Sequence, residues 1–485
     1  MNKIKMYFTY YNYIEELLKN QNMTSCPLLQ DIFSKKDYEK LLKNVIDVLN
    51  NNPHNSITNL RFLLFQRSGL KDIIDDFVKK TKITPGVILD FGTKKTRDTV
   101  LCGNSQEFIM KNGQMIYSPK PIEQDTIFDL ASTSKLFTAI AILKLNEDGL
   151  IDLFNPITDY VKEFKNLNNI TVYDLLKFRK MIVTDIRVDS AKNKEEAEQI
   201  LFTVHELKNP QTKNYYTDMG AMVLRYIVER VSKVPFTEFV NEVIFKKANM
   251  KDTYLNVPEE KLDRVANENY STIVKSDGAF ITRVDNTPGT PHDAKALAIG
   301  ELSGIAPGHA GYFSTKSDMI NLGQALINGD IISKEFVLSM SDTATGFKDD
   351  DGYTRFYGSL VYLKQPDPKF LSVYPPLSGK AFMSPGFAGT TLCVDPINKI
   401  TLFIGSSRLH NRIYQIHPQQ RQFIKTNEDN MQTYTLKNGE EKIVCEDYTK
   451  NKEIMVKLAL DLSLQYQLLE KIINSNKEMH LVREL

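Results

Sequence analysis

The stretch Phe128-Asp129-Leu130-Ala131-Ser132-Thr133-Ser134-Lys135-Leu136-Phe137 places a serine and a lysine three residues apart, at the head of an apolar run. Thr138 to Leu145 continues that run with helical character, and Asp148-Gly149 stops it. Residues three apart share one face of a helix within about one turn, so an amine at Lys135 can reach the Ser132 hydroxyl. The helix start also offers backbone N–H groups and a positive dipole end to a developing oxyanion. Leu136, Phe137 and Ile140 would desolvate Lys135 and favour its neutral, basic form. The same S-x-x-K spacing recurs at Ser68-Gly69-Leu70-Lys71, between two helical segments and without matching downstream motifs. A serine at a helix start is by default an N-cap, so the phrase needs a second one beside it.

That second phrase is Tyr215-Tyr216-Thr217-Asp218-Met219-Gly220, a polar turn before an apolar helix running to Arg230. A phenol passes a proton most readily beside an ammonium group. Asp218 can orient Lys135 through a charge-assisted hydrogen bond. By itself the phrase reads equally as a structural tyrosine with Asp218 capping the helix.

Together the phrases carry a resemblance. Thr126 to Lys135 resembles the nucleophile motif of class C β-lactamases, related carboxylesterases and low-molecular-weight penicillin-binding proteins, and Leu145 to Leu153 continues it. Tyr216-Thr217-Asp218 resembles the Tyr-Ser/Ala-Asn/Asp element of that family. Gly308-His309-Ala310-Gly311-Tyr312-Phe313-Ser314-Thr315, preceded by His292-Asp293, is similar to a phrase of its peptidase-like and esterase-like branches. The similarity runs from about Ile83 to Arg412. It implies an α+β fold (an α/β sandwich): an antiparallel sheet flanked by helices, plus an all-helical region. It also implies that Ser132 attacks a carbonyl, that Lys135 and Tyr216 shuttle the proton, and that Asp218 positions the lysine. His309 would organise its loop, with substrate contact as the alternative.

Two places depart from the family pattern. Where a Lys/His-Thr/Ser-Gly element is expected, the chain has Ser384-Pro385-Gly386-Phe387-Ala388-Gly389-Thr390. Gly386, Gly389 and Thr390 fit. Ser384 brings no positive charge, and Pro385 removes a backbone donor. The N–H of Phe387 can still complete an oxyanion hole with that of Ser132. Without the cation, substrates bearing a carboxylate are expected to be handled poorly unless Arg408 or Arg412 replaces it. The second departure is Leu175-Leu176-Lys177-Phe178-Arg179-Lys180, where relatives often carry Leu-Leu-Thr-His-Thr-Ser-Gly. These readings favour a serine hydrolase acting on a peptide, β-lactam or ester bond. A catalytically impaired binding or sensor protein on the same fold is the alternative.

Composition narrows the partners. The 61 basic and 60 acidic residues among 485 nearly cancel, so no global field draws the chain to nucleic acid or anionic membrane. A small molecule or peptide is the expected substrate. The four cysteines have no CxxC spacing and the seven histidines no HExxH pairing, so neither metal nor cofactor is expected. No apolar run is long enough for a membrane span, and Glu15 and Glu16 break the N-terminal stretch where a signal peptide would be apolar. That points to a cytoplasmic location.

Residues 1–69 read as a helical N-terminal extension packed on the main domain, with a dimerisation element as the alternative; its stripes are Ile14, Leu17 and Leu18 and Tyr38, Leu41, Leu42, Val45, Ile46 and Leu49. Residues 70–485 form the hydrolase domain. Strands are expected at Gly86–Gly92, Thr99–Cys102, Phe108–Tyr117 around Asn112-Gly113, Phe356–Leu363, Thr390–Val394 and Ile400–Ile404. Residues 418–450 are polar, with a hairpin turn at Lys437-Asn438-Gly439, and read as a surface insertion. A helix over 452–473 follows.

Overall fold

A strand covered on both faces is apolar along its whole length rather than alternately, and Gly86–Gly92 (β1) is such a strand, with every residue buried. The structure, a computed structural model, describes residues 35–208, 215–284, 287–300, 306–342, 345–348, 354–363 and 377–483. The stripe at Ile14, Leu17 and Leu18 lies outside them. Eight further strands join β1: Arg97–Lys111 (β2), Gln114–Pro121 (β3), Thr345–Lys348 (β4), Thr354–Tyr357 (β5), Tyr362–Leu363 (β6), Phe382–Pro385 (β7), Thr391–Asp395 (β8) and Ile400–Ser406 (β9). The order across the sheet is β4-β5-β6-β7-β8-β9-β1-β2-β3, and every pairing is antiparallel. The register Val87↔Ser406 ties the two distant halves of the chain together.

Alternate side chains of β1 feed two cores. Ile88 joins the core around the helix Lys135–Glu147 (here α3), which is buried on nearly every side. Val87, Leu89 and Phe91 join a second core on the opposite face. That face is covered by the helices Lys35–Asn51 (α1) and Ile57–Arg67 (α2) and by the last helix, Tyr448–Arg483. Leu41, Leu42, Val45 and Ile46 of α1 are buried there, as their helical spacing predicts. Residues 35–67 thus pack on one face of the sheet, beside the last helix. The last helix starts four residues earlier and runs ten residues further than the 452–473 expectation.

Two local differences have clear causes. The expected break between Cys102 and Phe108 is absorbed in one long β2, because register irregularities between Asn104 and Phe108 accommodate its polar residues without ending the pairing. Conversely, Phe356–Leu363 is split into β5 and β6 by a turn in which Leu360 takes φ +53°. Asn112 and Gly113, at φ +52° and +76°, close the β2–β3 hairpin in the left-handed pair that such turns favour.

Residues 418–450 depart from a plain surface insertion. The strands Gln432–Thr435 and Glu441–Val444 form a hairpin across Lys437-Asn438-Gly439, and the second of them pairs in parallel with Arg412–Ile416. That strand pairs in turn with Thr272–Val274, so the stretch builds half of a six-stranded second sheet. Tyr434, Leu436 and Val444 bury with Val274, Ile413 and Ile416 beneath it. A six-residue apolar core was hidden in the sequence by the polar partners that alternate with it.

Candidate active site

The chain enters α3 from the short strand Ile127–Asp129 through a sharp turn, with Ala131 at φ +44°. A non-glycine residue in that region is strained and must be held there by its surroundings. Asp129 holds it, its carboxylate accepting from the N–H of Ala131 and of His292, both at 2.8 Å. Burial pushes the Asp129 carboxyl up to about 6. The turn sets Ser132 in a 3₁₀ segment directly before α3, facing the cavity.

Lys135, one helical turn on, donates to Ser132 Oγ at 2.8 Å. The lysine is 1% exposed and lies 2.8 Å from Asp218 Oδ1. Its third neighbour is the His309 carbonyl at 3.4 Å. Burial works to lower its pKa, yet Asp218 and the hydrogen-bonded Tyr216 phenol more than offset this and hold it above the ordinary lysine value. The sequence expectation of a neutral Lys135 is therefore corrected: the apolar neighbours are present, but the Asp218 carboxylate keeps the group an ammonium. Asp218 stays well below the carboxylate range despite its burial, because Lys135, His309 and Lys295 surround it.

Tyr216 leads into the helix Asp218–Ser232 (here α4), which Thr217 caps through the N–H of Met219 at 3.2 Å. Its ring lies 5.0 Å from Lys135 Nζ and packs against Phe178 at 5.0 Å and Tyr362 at 5.6 Å. The second departure in the sequence is thus part of the wall. Phe178 fills the place beside the tyrosine, while Lys177 turns away and donates to the carbonyls of Ser339 and Asp342 at 2.9 and 3.0 Å.

Ser132, Tyr216, Asp218, Pro385, Gly386 and Phe387 line one cavity of about 550 Å³. Gly386 is required by close approach: a Cβ there would stand 2.4 Å from the Leu130 carbonyl, beside the nucleophile turn. Its N–H donates to Thr390 O at 2.8 Å, closing a tight turn that presents Phe387. Ser384 is buried and does not line the cavity; its carbonyl accepts from Thr133 Oγ1 at 3.0 Å.

Two expected residues stand elsewhere. Arg412 is not brought to the cavity. It is 1% exposed, with NH1 2.9 Å from Glu107 and Nε donating to the Lys82 carbonyl, and so it ties the second sheet to β2. His309 is fully buried, its Nε2 2.8 Å from Asp293 Oδ1, and it touches Lys135 only through its carbonyl. Arg408 does line the cavity, its guanidinium 5.0 Å from the rings of both Phe387 and Tyr448. The last helix adds Tyr448, Lys452 and Glu453 to the same wall. Lys452 donates to Thr391 Oγ1 at 2.9 Å, and burial, aided by Arg408, pushes it down to about 8. No sequence pattern marked these residues, since only the fold brings the last helix to the nucleophile.

Asp218, Asp293 and His309 place three potential ligand atoms within 4.8 Å of one another. The cations that this cluster holds are ammonium groups: Lys135 and Lys295 engage Asp218, and Lys295 also faces Asp293. A metal ion would have to displace both lysines.

Among known proteins, a Salmonella typhimurium protein provisionally named D-alanyl-D-alanine carboxypeptidase is 24% identical over 329 residues, covering 60% of this chain and 71% of its own. The fold is that of a penicillin-binding protein homologue from Caulobacter crescentus, with a TM-score of 0.56 at 14% identity over 83% of this chain and 97% of the other. A class C β-lactamase mutant superimposes with a TM-score of 0.52 at 14% identity, over 70% and 93% of the two chains. No helix among the described residues is long and apolar enough to cross a membrane. The Beta-lactamase family model matches residues 103–423, about two thirds of the length, and the chain therefore belongs to the beta-lactamase family.

Proposed function

We propose that this protein is a serine hydrolase that forms an acyl-enzyme on Ser132 with a peptide, β-lactam or ester substrate. The observation that carries the reading is Lys135 Nζ at 2.8 Å from Ser132 Oγ, with Asp218 at 2.8 Å on its other side. An ammonium so placed stabilises a serine alkoxide, and the Tyr216 hydroxyl serves as the proton relay: its oxygen accepts the serine proton as its own O–H proton moves on. Ser132 Oγ then bonds to the substrate carbonyl carbon. The oxyanion sits between the N–H groups of Ser132 and Phe387, and the proton passes from Tyr216 to the leaving group as its bond breaks. Water enters by the same route in reverse and releases the acid.

The carboxypeptidase name of the Salmonella relative favours a substrate with a free carboxylate. Arg408 and Lys452 would face such a group in place of the cation missing at Ser384. The experiment is mass spectrometry of the intact protein after incubation with a penicillin, a neutral ester and a D-alanyl-D-alanine peptide. The expected result is a single covalent adduct on Ser132 that is absent from Ser132→Ala. A well-folded protein that none of the three, nor a fluorophosphonate, acylates would favour the binding or sensor alternative.

A further inference from the structure

Lys295 lies outside the phrases that single out the nucleophile and its partners. It stands in the first turn of the helix Ala294–Gly300, with its ammonium 3.0 Å from Asp218 Oδ2 and 3.8 Å from Asp293 Oδ2. The other oxygen of Asp218 holds Lys135. One carboxylate thus bridges two ammonium ions, one against the nucleophile and the other, a quarter exposed, at the edge of the site. Among the described residues, the other titratable groups facing Lys295 include His309 and Asp189. His309 is bonded to the far oxygen of Asp293, and Asp189 approaches from the turn Val188–Ser190 that packs on this helix. Among the two lysines and the two aspartates the charges balance. Without Lys295, the Ser132–Lys135–Tyr216 set would face one net negative charge at close range, which opposes loss of a proton.

We propose that Lys295 is a positioning residue for acyl transfer that acts through Asp218: it fixes which carboxylate oxygen meets Lys135, and it cancels the field of the paired aspartates on the reacting set. The proposal rests on Ser132 being the nucleophile. In support, Asp218 and Asp293 both stay below the carboxylate range against their own burial, and Lys295 stays above the ordinary lysine value against its own.

The test is the pH dependence of kcat and KM for a neutral ester in wild type, Lys295→Met, Lys295→Arg, Asp293→Asn and the Lys295→Met/Asp293→Asn double variant. Lys295→Met should move the acidic limb of kcat upward by about one pH unit and cut kcat on that limb about tenfold. KM should change by less than about twofold, because the lost interaction is not with substrate. Lys295→Arg should return the limb towards wild type. Asp293→Asn should move it downward, and the double variant should lie close to wild type. An unchanged limb in Lys295→Met, or a loss confined to KM, overturns the proposal. If Lys295→Met does not fold, the absence of a downward shift in Asp293→Asn overturns it instead. Hydrolysis that survives Ser132→Ala would sink the nucleophile assignment itself, a result separate from any of these.

Discussion

Ser132 and Ser68 head the same four-residue spacing, and their surroundings part them. Ser68 Oγ donates to the Phe65 carbonyl and accepts from the N–H of Leu70, while Lys71 reaches away to Asp75 on the surface. Ser68→Ala should therefore leave covalent labelling intact and cost about 1 kcal/mol of stability, the usual value of a helix-end hydroxyl. Ser132→Ala should abolish labelling with little change in Tm, because Lys135 keeps Asp218. Labelling that follows Ser68 would reverse the assignment. The buried cations Lys452 and Arg412 divide in the same way. Lys452→Met should raise KM for a carboxylate-bearing ester about tenfold over its neutral analogue, the difference between a charged and a neutral hydrogen bond. Arg412→Met should instead lower Tm without selectivity, since it strands Glu107. Equal effects of Lys452→Met on the two esters would remove it from carboxylate recognition.

At the level of elements, the turn after β7 couples packing to chemistry. In Gly386→Ala the new methyl would stand 2.3 Å from Thr390 Oγ1 and 2.4 Å from the Leu130 carbonyl, so the turn must shift and take the Phe387 N–H with it. Loss of one oxyanion donor typically costs about 100-fold in kcat, and that is the expected fall, measured at saturating ester; a kcat within twofold of wild type would place the oxyanion elsewhere. The elements that the sequence made legible were those with a local signal. The continuous apolar run of β1, the Asn112-Gly113 turn and the stripe of α1 all read correctly because periodicity or turn chemistry fixed them. The contact between Ser132 and Lys135 was legible for the same reason, with serine, lysine and helix start contiguous. Lys295 and Lys452 were not, because their meaning depends on pairings between segments that only the folded chain brings together. The protonation of Lys135 was misjudged on the same ground: its apolar neighbours are local, and the deciding carboxylate lies 83 positions away.

Across the whole molecule, two buried lysines shape the response to pH. Burial pushes Lys177 and Lys452 down to about 8, below the ordinary lysine value of 10.5. From about 8 to 9 the unfolded chain binds more protons than the folded one, an effect to which the lowered Lys442 adds, so stability should rise with pH there; above about 9 the buried thiols of Cys393 and Cys445, held up by burial, lose protons on unfolding and offset the lysines. Below 8 both groups are charged in either state, and the cost is constant. Denaturant titrations across that window should show a rising midpoint, and Lys177→Met should flatten the rise. A midpoint that falls over this range in wild type would contradict the burial of these amines as charged groups.

The strand β1 is buried on both faces and hydrogen-bonded along both edges, yet one of those edges, β9, lies about 320 residues further along the chain. At usual translation speeds the ribosome needs on the order of 15–60 s to make that interval. For all of it, Val87, Leu89 and Phe91 have an open edge and an uncovered face, the conditions under which a nascent strand pairs with the wrong neighbour. The cavity at Ser132 is completed later still, since its wall includes residues of the final helix. Yield in the cell should therefore follow the supply of holdase chaperones during synthesis more closely than it follows the equilibrium stability of the finished chain.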